Sequence, residues 1–259
     1  MTTTKPTYGT VLIKADAILD TLATTHGQTL TDIATATGFT RSTTLKILDT
    51  LLQLQYVEKN DHNKKYQIGS AFLKYSDAYL NTFSIVNLCH PDLLKLRDEF
   101  GETVHLGTME NDDLIYLDKF PGKKSITVMT SKIGVHAPLY ATGMGKAILS
   151  TFGENHLSDY LANHPLKALT KTTVTNQREL QRQIAATQQN HLAYDNSERD
   201  EDVYCIATTI TAHNKLFGAF SISIPSYRLT PENKAEMEKA ILKTKQDIEA
   251  KLTYMRTEN

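Results

Sequence analysis

The sequence predicts an α+β fold in two parts: a small helical unit that ends in a β-hairpin, and a larger unit of antiparallel strands flanked by helices. Three observations support this fold class. Apolar residues recur at helical spacing through residues 11–54. Two short strand-like segments around a turn follow them. Paired strand-like segments separated by helical stretches then fill much of the chain beyond residue 101.

Composition limits the classes of protein that fit this chain. Its 259 residues, 40% hydrophobic and 22% charged, suffice for one large packed domain or two ordinary ones. The net charge of −1 gives no global signature for nucleic acid, so DNA binding would depend on local charge. The two cysteines, Cys89 and Cys205, lack metal-ligand spacing and fit a reducing cytosol. We expect no metal, no cofactor, no membrane partner and a cytoplasmic location.

Residues 29–54 predict two short helices joined by a tight turn, after a first helix over 11–22. The helix over 31–37 ends at Gly38, since glycine reaches the positive φ of a helix end without a Cβ clash. Thr40 is a suitable N-cap for the next helix, and Ser42 and Thr43 are alternative caps. The predicted apolar stripe of this helix consists of Leu45, Leu48, Leu51 and Leu52.

The start of this last helix carries short hydroxyls and two cations. These residues are Thr40, Arg41, Ser42, Thr43, Thr44 and Lys46. A helix-turn-helix offers such residues, at the N-terminus of its second helix, to the DNA major groove. An ordinary helical hairpin with a solvated polar face fits the same residues equally well.

A predicted hairpin shifts this balance towards DNA. Strand-like segments at 56–59 and 64–68 surround the turn formers of residues 60–63. A hairpin directly after a helix-turn-helix is a wing, and Lys64 and Lys65 lie near its tip, where phosphates would bind. We therefore assign residues 1–69 to a DNA-binding domain and residues 70–84 to a linker helix.

Residues 85–259 predict the second, α/β domain. Its first helix covers 86–100, or begins only at Pro91. Strands are predicted over 103–109, 114–118, 125–129, 203–211 and 216–224. Further helices are predicted over 143–152, over 179–189 and from Pro231 onward.

Seven short motifs run along the chain in a characteristic order. They are TRSTTLK (40–46), KYQIG (65–69), GETVHL (101–106), APLYATGMGKA (137–147), LAYD (192–195), YCIA (204–207) and SIS (221–223). In this order and spacing the sequence resembles the IclR-type bacterial transcription regulators. The resemblance covers nearly the whole chain, from about residue 11 to residue 252.

The resemblance implies a winged helix-turn-helix, a linker helix and a GAF-like effector-binding domain. It implies a sequence-specific regulator, taken here as a repressor, that binds a palindromic double-stranded DNA operator as a homodimer or a dimer of dimers. The implied effector is a small molecule such as an organic acid. Family positions that line the effector pocket match Gly143, Met144, Asp195, Cys205, Ser221 and Ser223.

Those positions suit a ligand, and each also has a local explanation. The loop at Gly143 enters a helix, where backbone N–H groups suit a carboxylate. Ser221 and Ser223 are two apart on a strand and face the same side. Asp195 would accept a ligand hydrogen bond or disfavour an anion. Alternatively, the glycine shapes the turn, Cys205 is a small buried hydrophobe, and the serines bond neighbouring strands.

The sequence also departs from the family and from enzyme motifs. The family's frequent glycine is absent from residues 201–203, and Thr208-Thr209 replaces the usual small residue and proline. Residues 143–146 lack the earlier glycine of a phosphate loop, and no nucleophile elbow or HExxH motif occurs. We expect no catalytic residues and no enzyme. The competing class is a small-molecule-metabolising enzyme, or a sensor domain acting without DNA.

Overall fold

The computed structural model describes residues 9–75, 85–123 and 131–254. The chain divides into two compact units, Met1–Phe83 and Ser84–Asn259. Each unit buries its own hydrophobic core.

The first unit is a winged helix-turn-helix, as the sequence predicts. Its elements are α1 (Thr10–Thr24), α2 (Leu30–Thr37), α3 (Arg41–Gln53), β1 (Val57–Lys59) and β2 (Tyr66–Ile68). The two strands pair antiparallel as the wing.

Local capping fixes the turn between α2 and α3. Thr29 and Asp32 form a capping box at the start of α2, in which the Asp32 carboxylate accepts the Thr29 N–H at 2.9 Å. Gly38 ends α2 at φ 70°. The Thr40 hydroxyl accepts the Thr43 N–H at 3.2 Å and starts α3. These contacts are local in sequence, which explains why the turn was predictable.

The predicted apolar stripe of α3 is wrong in one member. Leu45 is 39% exposed, whereas Ile47, Leu48 and Leu51 are buried together with Thr44. At about 100° per residue, Leu45 lies a quarter-turn or more from the centre of the buried arc. Leu45 and Leu48 are three residues apart, and this spacing alone does not show whether Leu45 lies on the buried side of the helix or beside it.

Backbone hydrogen bonds attach the wing to the helical part of the unit. Gln28, in the connection between α1 and α2, pairs with Tyr66 of β2 through N–H···O bonds of 3.1 and 2.7 Å. The Tyr66 side chain is buried in the core of the unit. Beyond the wing, residues 71–75 are helical, and residues 76–84 of the predicted linker helix lie outside the described residues.

The second unit is built on a six-stranded antiparallel sheet in the order β5-β4-β3-β8-β7-β6. The strands are β3 (Thr103–Glu110), β4 (Asp113–Phe120), β5 (His136–Pro138), β6 (Ala193–Asn196), β7 (Val203–Ala212) and β8 (Lys215–Pro225). The predicted strand over 125–129 lies outside the described residues.

Helices cover both faces of this sheet. They are α4 (Ile85–Phe100), α5 (Gly143–Leu149), α6 (Glu154–Asn163), α7 (Gln177–Asn190) and α8 (Pro231–Tyr254). One core joins the sheet to α4 and α8, and the other joins it to α5, α6 and α7. Alternation along β7 sends Ile206 to the first core and Ala207 to the second.

Some elements differ from the sequence predictions. The helix α4 runs through Pro91 from Ile85, so the alternative start at Pro91 is wrong. The strands β5 and β6 and the helix α6 were missed. The two strands have only three and four residues, too few to show a period, whereas Leu157, Tyr160 and Leu161 of α6 do stand at helical spacing.

The buried arc of α3 gives the first prediction. Leu48→Ala should destabilise the first unit by about 2–5 kcal/mol, because it leaves a cavity in the core. Leu45→Ala, from the exposed side of the same helix, should change stability by less than about 0.5 kcal/mol. The chain has no tryptophan, so scanning calorimetry of the full protein is the suitable measurement. Equal effects of the two substitutions would contradict the assigned faces of α3.

Candidate functional sites

The start of α3 presents polar side chains to solvent. Thr40, Arg41, Ser42 and Lys46 are exposed, and Thr43 is half-buried. The Thr40 and Thr43 hydroxyls are hydrogen-bonded to each other at 3.0 Å and so stiffen the first turn. Two cations and a hydroxyl therefore project from one end of the helix, in a geometry that suits contacts in a DNA groove.

Thr44 does not belong to this exposed set. Its side chain is 0% exposed, and its hydroxyl donates to the Thr40 carbonyl at 3.1 Å. The prediction that Thr44 contacts DNA is therefore wrong. A run of consecutive polar residues on a helix turns around the axis, and its fifth member here points into the core.

The wing tip holds two exposed lysines, Lys64 and Lys65. The Asn60 side-chain carbonyl accepts the His62 and Asn63 N–H groups at 2.9 and 3.3 Å, which orders the turn. Lys64 lies in the left-handed region at φ 57°. The two ammonium groups are thus carried on a structured turn, as phosphate contacts require.

In the second unit, a polar cavity lies between the sheet and α5. All six residues predicted from the family motifs line it: Gly143, Met144, Asp195, Cys205, Ser221 and Ser223. They come from α5, β6, β7 and β8 and are brought together only by the fold. The cavity volume is about 20 Å³, which is room for a water molecule.

Strand register explains why the two serines and the cysteine converge. The β7–β8 pairing sets Cys205 opposite Ser223, and their Sγ and Oγ atoms lie 3.1 Å apart. The β3–β8 pairing sets His105 opposite Ser221. Residues two apart share a face of a strand, so both serines face the cavity.

A chain of hydrogen bonds forms one wall of the cavity. The Ser223 hydroxyl contacts His105 Nδ1 at 3.2 Å, and His105 Nε2 contacts the Ser131 hydroxyl at 2.8 Å. Lys119 Nζ donates to the same Ser131 hydroxyl at 3.0 Å. Burial, together with the charge of Lys119, lowers the pKa of His105 to about 3, so its imidazole is neutral at pH 7.

Asp195 is the buried carboxyl of the cavity. Its Oδ1 accepts the Glu198 N–H at 2.7 Å. Burial raises the pKa of Asp195 to about 7, against the opposing effects of this hydrogen bond and of Lys146. Glu198 pairs with Lys146 Nζ at 2.5 Å, and both side chains are buried. Lys146 of the GMGK sequence thus serves a structural ion pair.

Packing requires a glycine at residue 145 and leaves little room for a side chain at residue 143. A Cβ on Gly145 would lie 2.2 Å from the Leu139 carbonyl oxygen, and one on Gly143 would lie 3.2 Å from the Ala207 Cβ. The Gly145 N–H already donates to the Thr142 hydroxyl at 3.0 Å. The interpretation of the glycines as shaping the turn therefore holds for Gly145, whose N–H is not left open for a ligand.

Sequence reasoning missed other residues that line the cavity. They are His105, Tyr116, Ser131, Thr142, Arg199, Asp200 and Val203. His105 belongs to the GETVHL motif, on the strand that pairs with the strand of the SIS motif, and this position is the signal that could have pointed to it. Arg199 and Asp200 lie between motifs, where the sequence carries no signal.

Comparison with protein families identifies both units. Residues 11–61 match the family described as "IclR helix-turn-helix domain", and residues 77–250 match "Bacterial transcriptional regulator IclR C-terminal". The chain belongs to the IclR family.

Known IclR-family proteins match over nearly their whole length. The acetate operon repressor of Salmonella typhimurium is 28% identical over 252 residues, which cover 95% of this chain and 92% of that protein. The crystal structure of Thermotoga maritima IclR superposes with a TM-score of 0.80 at 30% identity, covering 94% and 98% of the two chains.

A more distant IclR homologue shares the fold. The structure of the protein from Microbacterium hydrocarbonoxydans, complexed with 4-hydroxybenzoate, has a TM-score of 0.78 at 16% identity, with 93% of this chain and 98% of that chain covered. The present protein is thus an IclR-family transcriptional regulator, with a helix-turn-helix for DNA and a C-terminal domain for an effector.

Within residues 9–75, 85–123 and 131–254, no helix is long and apolar enough to cross a bilayer. The same part of the chain contains no group of three or more His, Cys, Asp or Glu side chains placed to hold a metal ion.

The buried carboxyl predicts a pH dependence of stability. An unfolded Asp has a pKa near 3.9, so folding raises the pKa of Asp195, and its protonated form is the one that the native state favours. The stability of the wild type relative to Asp195→Asn should therefore fall as the pH rises from about 4 to about 7 and stay level above that. The total change should be at most about 4 kcal/mol.

Calorimetric unfolding between pH 4 and 8 measures this difference. Asp159→Asn, at an exposed carboxyl on α6, is the control and should follow the wild type. A gap between wild type and Asp195→Asn that is constant across the range would show that Asp195 is already ionised throughout it.

Proposed function

We propose that this IclR-family protein is a repressor of a palindromic operator, released by a small organic acid that binds in the cavity of its C-terminal domain. The observation that carries the proposal is the convergence of six motif residues from four separate elements on one polar cavity. A helix-turn-helix with exposed cations in the same chain supplies the output.

On the DNA, the N-terminal end of α3 enters the major groove. Arg41 has the donor geometry for a guanine edge, and Ser42 and Lys46 flank it as further base or phosphate contacts. Lys64 and Lys65 of the wing hold the backbone. A homodimer, or a dimer of dimers, sets two copies of α3 about 34 Å apart, and the palindrome mirrors that symmetry.

The effector acts by selecting a wider form of the cavity. A volume of about 20 Å³ holds a water molecule and no organic acid, so side chains around the cavity must move for the effector to enter. A ligand that fits only the wider form binds one conformation better than the other. That difference in affinity is what a shift in DNA binding requires. The 4-hydroxybenzoate in the Microbacterium homologue is the kind of acid we propose here.

The ligand leaves this site unchanged. The His105 imidazole, whose pKa of about 3 makes it a weak base, and the Cys205 thiol, whose pKa burial raises, supply neither a strong base nor a thiolate. A bound acid should therefore be recovered intact after prolonged incubation. Turnover of the acid, followed by NMR, would favour the enzyme alternative instead.

Arg41 provides the test of the DNA interface. Arg41→Ala should weaken binding to the operator, first located by footprinting at the protein's own promoter, by about 1–3 kcal/mol and relax its sequence preference. Gln53→Ala, at the far end of α3, is the control. Fluorescence anisotropy with operator and scrambled duplexes measures both variants. Unchanged affinity and unchanged preference in Arg41→Ala would remove Arg41 from the interface.

The two cavity serines test the effector site. Acids are first ranked by their thermal shift on the full protein, and the best is added to the protein–operator complex. Ser221→Ala with Ser223→Ala should abolish release by the acid and leave DNA affinity unchanged, because both hydroxyls line the cavity. Ser158→Ala, at an exposed serine of α6, is the control. Release that persists in the double variant places the effector elsewhere.

A further inference from the structure

Arg199 stands in the loop between β6 and β7 and lines the cavity. Its backbone is held in place from both sides of the loop. The Asp195 carboxyl accepts hydrogen bonds from the Glu198 N–H, at 2.7 Å, and from the Arg199 N–H. The Ser197 N–H closes the loop by donating to the Val203 carbonyl at 2.8 Å. The arginine therefore leaves the backbone from a fixed point at the cavity edge.

The guanidinium of Arg199 carries a buried donor that lacks an acceptor. Its Nε has no hydrogen-bond partner among the residues that the structure describes. Arg97 and Arg228 also bury an Nε, but the Nη atoms of each reach an acceptor, the Pro121 carbonyl at 3.1 Å and the Glu102 carboxylate at 2.6 Å. Leaving a buried donor unsatisfied costs free energy, and this donor belongs to a residue that lines the cavity.

The other charged groups around the cavity already have partners. Lys146 is paired with Glu198, and Lys119 donates to Ser131. Asp200 acts on Lys119, whose ammonium it stabilises. The Asp195 carboxyl is the remaining acidic group, and burial disfavours its charge.

Tyr116 lies within range of the same guanidinium. The positive charge of Arg199 lowers the pKa of the Tyr116 phenol, while burial raises it more strongly, so the phenol stays neutral. The His105 ring packs edge-on against the Tyr116 ring, with their centroids 5.4 Å apart, and the imidazole is neutral as well. Tyr116 and His105 thus offer neutral hydrogen-bonding groups to a ligand, and the guanidinium of Arg199 is the group that would distinguish an anion from its neutral isostere.

From these contacts we propose that Arg199 is the specificity-determining residue of the cavity: it binds the carboxylate of the effector through Nε and selects acids over neutral compounds of the same shape. The proposal rests on the proposed function, which makes this cavity the effector site. A carboxylate supplies the missing acceptor and, through its second oxygen, can also take an Nη donor in the fork geometry that arginine provides.

The test compares acids with their own amides on the full-length protein. Titration calorimetry uses the pairs acetate/acetamide, pyruvate/pyruvamide and 4-hydroxybenzoate/4-hydroxybenzamide. Arg199→Gln should weaken the acids at least tenfold and change the amides less than twofold. Arg199→Lys should fall between wild type and Arg199→Gln for the acids, since lysine keeps the charge without the fork. Arg182→Gln, at an exposed arginine paired with Glu179, is the control.

Each other outcome overturns the role of Arg199. Unchanged acid affinity in Arg199→Gln does so, and so does an equal loss for acid and amide, which indicates a merely structural arginine. Acid binding that is lost in Ser221→Ala with Ser223→Ala and retained in Arg199→Gln also overturns the role of Arg199. That result leaves the assignment of the cavity as the effector site intact. If the wild type binds the amides and none of the acids, the proposed acid effector fails with it. Melting curves of both Arg199 variants confirm that they fold.

Discussion

The ion pair between Lys146 and Glu198 holds the effector domain together at its functional end. Lys146 comes from α5 and Glu198 from the β6–β7 loop, and both are almost completely buried. Gln183 of α7 shares the ammonium at 2.8 Å. The Glu198 carbonyl accepts the Thr173 hydroxyl at 2.6 Å, and its carboxylate accepts the Val174 N–H at 3.3 Å. Two helices and two loops thus meet at this ion pair, and a buried pair of this kind is costly to break by removing either member.

This arrangement fixes the backbone from which the cavity is built. Glu198 is held by the ion pair, and its own N–H holds Asp195. Arg199 follows directly in the chain. The ion pair orders the wall of the cavity on one side, and the Ser223–His105–Ser131 chain of hydrogen bonds orders it on the other.

The sequence predicted best what is decided locally. The glycine at residue 38 and the N-cap at Thr40 each act within a few residues, and each is present. Failures occurred where burial chooses between adjacent positions: Thr44 and Leu45 exchange their expected places because tertiary packing sets the rotation of α3. Short elements such as β5, with three residues, have too few positions to show a period.

The cavity was predictable only through resemblance. Its residues meet because β8 pairs with both β3 and β7, and no local sequence pattern predicts that order of strands. The family motifs carried the six residues, whereas Arg199 lies in a loop between motifs and became visible only from its orphaned Nε.

The pairing of Gln28 with Tyr66 has a consequence for how such a protein is regulated. It joins the wing to the α1–α2 connection, and the capped turn joins α2 to α3, so the DNA-reading unit behaves as one rigid unit. A ligand bound in another domain can change where this unit binds and how often it is bound to DNA. It leaves the arrangement of the side chains that contact DNA unchanged. The sequence preference of the protein is therefore determined by residues 10–68, and the effector changes only the occupancy of the DNA site.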